Sequence, residues 1–190
     1  MHALTGEEGV MAVRLARAVL ENHVGRAQSD LPLLPPVFSE KRGVFVTLSN
    51  GGELRGCIGY PYPTHPLKDA LCDAAISAAT RDTRFPPVRA PELPQLRIEV
   101  TVLSVPELVT ADPEARPAVV DVGKHGLIIQ GHGRSGLLLP QVPVEWGWDS
   151  REFLDHTCLK AGLPAGCWKR KDVDLYAFEG QVFIEDKDDK

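Results

Sequence analysis

A chain of 190 residues that is 43% hydrophobic and 25% charged can bury a core, and it fits one domain or two small lobes rather than a string of independent modules. Its 21 basic and 26 acidic residues leave a net charge of -5, which argues against broad binding to a nucleic acid backbone while leaving a local basic patch open. The opening Met1-His2-Ala3-Leu4-Thr5-Gly6-Glu7-Glu8 is not basic and no apolar run has the length of a membrane span, so the expectation is a soluble cytoplasmic protein.

Thr5 followed three residues later by Glu8 has the form of a capping box, and Met11, Leu15, Ala18 and Val19 recur at helical spacing up to Gly25. The pattern predicts an amphipathic helix. Leu31-Pro32-Leu33-Leu34-Pro35-Pro36 lacks the backbone donors of a helix or inner strand and reads as a surface connector. The apolar run Gly43 to Ser49, then Asn50-Gly51-Gly52, then Leu54-Arg55-Gly56-Cys57-Ile58-Gly59-Tyr60, predicts a hairpin. Pro66 opens a second helix with Leu67, Ala70, Leu71, Ala74 and Ala78 on one face, and Arg84-Phe85-Pro86-Pro87 stops it. Leu96 to Val102 alternates as a strand, with Leu96, Ile98, Val100 and Val102 inward and Arg97, Glu99 and Thr101 outward.

From Val105 to Pro117 the composition turns proline-rich and acidic, which suits a boundary between lobes. Two short strands follow, Gly126 to Gln130 and Gly136 to Leu139. A third helix begins near Asp149 or Ser150, buries Phe153, Leu154, Cys158 and Ala161, and ends at Gly162 with Pro164 beyond. The final strands, Leu175 to Phe178 and Gln181 to Ile184, are expected around a Glu179-Gly180 turn, followed by a frayed charged tail from Glu185 to Lys190. Hairpins and helices alternate without a strand-helix-strand rhythm, so the class is α+β with antiparallel sheets flanked by helices.

Period-two alternation puts Arg55, Cys57 and Gly59 on one face of their strand, with Arg55 and Cys57 roughly 7 Å apart at the backbone. A neighbouring guanidinium favours the thiolate, the attacking form of cysteine. Gly56 and Gly59 would let a ligand or another backbone come close. The alternative is that Cys57 is a small buried filler where two elements touch. His125, in Val122-Gly123-Lys124-His125-Gly126, is a candidate general base for Cys57, and Glu99 a candidate to orient it or to pair with Arg55, against an ordinary cross-strand ion pair.

Gly131-His132-Gly133-Arg134-Ser135-Gly136 matches a dinucleotide-binding glycine pattern in letters only, because a strand follows where the helix should stand. A hairpin loop is expected there, with Arg134 and Ser135 as candidate ligand contacts. Cys57, Cys72, Cys158 and Cys167 show no two-residue spacing, which gives a zinc or redox pair no support and makes reduced thiols the simpler reading. His156 and Glu152 are too few for a metal, so neither a metal nor a cofactor is expected. Trp146 and Trp148 stack a base or peptide, or anchor a loop. Arg81, Arg84 and Arg89 form a basic patch that suits phosphate.

With Leu54-Arg55-Gly56-Cys57-Ile58-Gly59 as its hallmark, the chain resembles the AMMECR family. The likeness runs on through Gly43 to Leu48, Arg84-Phe85-Pro86-Pro87, Ile98-Glu99-Val100, Val122 to Gly126, Arg134 to Gln141 and Gly147-Trp148-Asp149. The departure is Asp82-Thr83-Arg84, where relatives often carry proline between aspartate and arginine. The resemblance implies two unequal α+β lobes: residues 1–106 with 166–190, holding both termini and the hallmark motif, and residues 107–165, with Arg55 and Cys57 facing a cleft between them. It implies no settled activity. It does imply association with Memo-like or radical SAM proteins, or binding of a nucleotide, peptide or, less readily, nucleic acid. The function expected is thiol-dependent catalysis at Cys57, or a noncatalytic binding module.

Overall fold

Thr5 and Glu8 close the expected capping box in the structure, a computed structural model that describes residues 3–186: Thr5 Oγ1 accepts the Glu8 N–H at 3.2 Å, and Glu8 Oε2 accepts the Thr5 N–H at 2.8 Å. Helix α1 then runs from Gly6 to His23 and buries Ala12, Leu15, Ala16 and Leu20. By their contacts the described residues form two compact units, one reaching to Leu103 and resuming at Gln181, the other spanning Ser104–Gly180.

In the first unit, strands β1 (Val44–Asn50) and β2 (Glu53–Tyr60) form the predicted hairpin, with Gly51 and Gly52 both at positive φ as its turn requires. Helix α2 (Leu67–Thr80) follows, and strand β3 (Leu96–Leu103) pairs antiparallel with the other side of β1. Alternation sets the core. Val44, Val46 and Leu48 of β1 and Ile98, Val100 and Val102 of β3 are buried with Leu67, Leu71 and Ala74 of α2 and the apolar face of α1. Each such side chain contributes roughly 1.5–3 kcal/mol relative to exposure.

The tail departs from its expectation at Glu185. This residue takes the Arg17 guanidinium through both carboxylate oxygens, at 2.7 and 2.5 Å, and its backbone N–H donates to the Ile98 carbonyl. A buried-side cation on α1 thus holds what charge alone marked as frayed; residues 187–190 lie outside the described residues.

The second unit contains strand β4 (Glu107–Leu108), the short helix α3 (Arg116–Val119), the hairpin β5 (His125–Gly131) and β6 (Arg134–Leu138), helix α4 (Gln141–Trp146) and helix α5 (Ser150–Lys160). His132 and Gly133 turn the hairpin with φ of 53° and 71°, so the glycine-rich stretch is a loop between strands, as expected. Asp149 caps α5 by accepting the Arg151 and Glu152 N–H groups. No turn forms at Glu179-Gly180. Asp174–Ile184 is one strand, β7, whose early residues pair with β4 and β5. Ser104 exchanges two hydrogen bonds with the Glu179 backbone, at 2.8 and 2.9 Å, and these keep the chain extended where a glycine invited reversal.

Cys167, Trp168, Val173 and Leu175 sit in the core of this second unit, whereas the expected larger lobe resumed at residue 166. The reason is partly covalent. Cys158 of α5 and Cys167 form a disulfide, with Cα atoms 5.9 Å apart, which corrects the expectation of four reduced thiols. Sequence spacing hid the pair because Gly162 and Gly166, both at positive φ, fold the intervening loop back on the helix. Cys57 and Cys72 remain free. Closing so short a loop stabilises by about 2–3 kcal/mol. Native protein is therefore expected to titrate two thiols when unfolded without reductant and four with it, and reductant should lower the urea midpoint; four thiols without reductant would contradict the pairing.

Candidate functional site

Strand β2 stands at the edge of its sheet, and its two faces have different neighbours. The Gly56 face meets helix α2: a Cβ at Gly56 would lie 2.1 Å from the Ala78 carbonyl oxygen, so only glycine lets the helix backbone sit this close. Of the two occupants expected beside Gly56, a ligand and another backbone, the structure supplies the backbone. Tyr60, on the same face, donates its hydroxyl to Asp73 of α2, and that bond raises the phenol and lowers the carboxyl relative to their ordinary pKa values.

The opposite face carries Arg55, Cys57 and Gly59. Register places Cys57 across from Thr47 of β1, and Thr47 across from Glu99 of β3, so three half-buried polar side chains form one row across three strands. Thr47 Oγ1 donates to Cys57 Sγ at 3.2 Å. Adjacent strands lie about 4.8 Å apart, so Cys57 and Glu99 flank the threonine hydroxyl at roughly 10 Å backbone separation. In the next row Gly59 faces Phe45, whose ring would lie 2.5 Å from a Cβ at Gly59. The Val44 carbonyl oxygen, 2.3 Å from the same position, and the Phe45 ring fill that space.

Cys57 points its backbone N–H and carbonyl outward from the hairpin, and two residues that sequence reasoning did not connect to it meet them. Asp82 Oδ2 accepts the Cys57 N–H at 2.9 Å, and Arg84 Nη2 approaches the Cys57 carbonyl at 3.4 Å. Asp82 also accepts Arg84 Nε at 3.0 Å, Nη2 at 2.7 Å and the Arg84 backbone N–H at 3.1 Å. These bonds, the Arg84 side chain first, hold the buried Asp82 carboxyl far below its ordinary value despite its burial. Arg84 is correspondingly raised, by its bonds to Asp82 above all and with a smaller contribution from the Cys57 sulfur.

Arg84, rather than Arg55, is thus the guanidinium bound to Cys57. Arg55 turns instead to Glu92, with Nε on Oε2 at 3.0 Å and Nη2 on Oε1 at 3.4 Å. This also corrects the suggested pairing of Glu99 with Arg55. Two members of the basic patch are neutralised, Arg81 by Asp73 and Arg84 by Asp82, while Arg89 lies 3.9 Å from a Glu92 that Arg55 already engages.

The remaining candidates lie in the second unit. His125 Nδ1 accepts the Asp121 N–H at 3.0 Å, which puts the proton of the neutral ring on Nε2 and makes that nitrogen a donor rather than the general base expected. Arg134 donates Nη1 to the Gly162 carbonyl just past α5, a favourable place for a cation at a helix C-terminus. Ser135 is exposed on β6 across from Gln130. Trp146 stacks on Trp148 and Trp148 on His156, with centroids 6.0 and 3.8 Å apart, while Glu152 is used in the α5 cap. Among the described residues no cluster of three or more His, Cys, Asp or Glu side chains could hold a metal ion, and no helix is long and apolar enough to cross a membrane.

Comparison with known proteins finds a family model, described as AMMECR1, that matches residues 13–183. A protein of Methanosarcina mazei is 51% identical over 191 residues, covering 98% of this chain and 96% of its own. One from Methanosarcina barkeri is 52% identical over 187 residues, covering 96% and 92%. An uncharacterised protein of Pyrococcus horikoshii, known from its crystal structure, superposes with a TM-score of 0.80 at 47% identity, covering 96% of this chain and 94% of that one.

Proposed function

We propose, for a chain that belongs to the AMMECR1 family, that the row of Cys57, Thr47 and Glu99 is a thiol site for covalent chemistry on a small electrophile. The observation that carries this reading is the hydrogen bond from Thr47 Oγ1 to Cys57 Sγ at 3.2 Å. That bond holds the sulfur on the polar face of the strand, and a buried filler cysteine needs no such partner. In the proposed step Cys57 Sγ attacks an electrophilic carbon. A sulfur–carbon bond forms, the thiol proton is released to solvent, and the displaced electron pair departs with the leaving group, while the Thr47 hydroxyl donates to the sulfur.

The test is the alkylation rate of Cys57, read by mass spectrometry on native protein with Cys72 as the internal reference. Thr47→Val keeps the shape and removes the donated hydrogen bond, so Cys57 is expected to react at least about fivefold more slowly, in line with a hydrogen bond to a charged group. An unchanged rate, or a Cys57 that reacts only in the unfolded chain, sinks the thiol reading and leaves this face as a noncatalytic binding surface.

A further inference from the structure

We infer that the cavity beside Arg55 is an oxyanion site, which seats the carboxylate or phosphate group of the molecule that Cys57 attacks. The identification of that molecule rests on the thiol reading above; the anion site itself rests on its own geometry. Arg55, Pro86, Pro87, Arg89 and Glu92 line a cavity of about 530 Å³. Glu92 engages the Arg55 guanidinium side-on, through Nε and Nη2. The far edge is left over. Arg55 Nη1 is buried and has no hydrogen-bond partner among the described residues.

A buried donor without an acceptor costs about 1–3 kcal/mol, and the cost is larger for a charged group. Such a deficit on a residue that lines a cavity is answered by an acceptor once the side chain turns to meet it, and a planar fork with one edge already taken by a carboxylate offers its other edge to a second oxyanion. Charge agrees with this. Two guanidiniums, Arg55 and Arg89, stand against the single carboxylate of Glu92, whose charge is fixed first by the Arg89 backbone N–H at 2.9 Å and then by Arg55. One positive charge is left at the mouth, on an Arg89 side chain that is 85% exposed.

Position joins this cavity to the thiol. Arg55 and Cys57 share one face of β2, roughly 7 Å apart along the strand. Cys57 does not itself line the cavity, so a molecule bound by its anionic group at Arg55 would extend along the strand to bring an electrophilic carbon to Cys57 Sγ. The class that fits is a small acid or phosphate ester bearing an electrophilic carbon.

Two measurements test the site. In the first, Cys57 is alkylated with iodoacetate or with iodoacetamide; in both the sulfur–carbon bond forms as iodide leaves and the thiol proton is released. The iodoacetate to iodoacetamide rate ratio at Cys57 is expected to exceed that at Cys72 at least fivefold, and Arg89→Ala should abolish the excess. In the second, phosphate and acetate are titrated separately into wild type and Arg89→Ala by calorimetry. Binding of either in wild type, at least fivefold weaker in the variant, is expected, and the tighter of the two names the anion. No binding of either, or equal binding in the variant, overturns the oxyanion site. A Cys57 inert to both reagents beside anion binding that responds to Arg89 overturns only the link to the thiol.

Discussion

Gly56→Ala is expected to destabilise the protein by at least about 3 kcal/mol, the top of the range for overpacking a buried position. The new methyl would meet the Ala78 carbonyl oxygen at 2.1 Å, then the Ala78 carbonyl carbon at 3.1 Å. Neither atom belongs to a side chain that can swing aside. The last turn of α2 must lift from β2, and with it the packing of Ala74, Ala75 and Ala78 against the sheet. For a chain of this size the cost corresponds to a melting temperature lower by roughly 6–12 °C. Gly6→Ala is the control for glycine loss in general, because nothing lies within 4 Å of a Cβ there and its φ is not positive. A melting temperature for Gly56→Ala within 2 °C of wild type would show that helix and strand do not approach as closely as described.

Asp82→Ala should lower stability at neutral pH by about 2–3 kcal/mol. It strands the Cys57 N–H, which costs about 1–3 kcal/mol for a buried donor, and removes the partner of a guanidinium that is itself half in water and so loses less. The pH dependence follows from the sign of the shift. Asp82 binds protons more weakly folded than unfolded, so its contribution is complete above its ordinary value of 3.8 and declines as the pH falls below it. Urea midpoints of wild type and variant should differ most near pH 7 and converge as the pH drops from about 4 toward 2. A gap that stays constant over that range would mean the carboxylate is not held by these bonds. Asp82→Asn, which keeps one acceptor, should fall between the two.

Elements with local rules were legible from the sequence. The Thr5–Glu8 box, the Asn50-Gly51-Gly52 turn, the alternation of Leu96 to Val102 and the Asp149 cap each depend on residues a few positions apart, and each stands where its pattern put it. The shared face of Cys57 and Glu99 was half legible: period-two alternation oriented both, but only the register through Thr47 joined them. What escaped was long-range pairing. Glu92 claims Arg55 across 37 residues, and Asp82 claims the Cys57 N–H across 25, and no spacing rule announces either. The Glu179-Gly180 turn failed for the same reason, because its outcome was decided by Ser104, far back in the chain.

The Asp82–Arg84 pair has a further meaning for a strand that ends a sheet. An outward N–H and carbonyl at such a border are what a passing extended segment copies when sheets grow by strand addition. At Cys57 both are already answered, one by a carboxylate and one by a guanidinium, so the border imitates a neighbouring strand with two side chains. Recruitment of a peptide or of another molecule of this chain along β2 would first have to displace an ion pair. The two residues that bind the Cys57 backbone therefore also oppose strand addition at this point of β2.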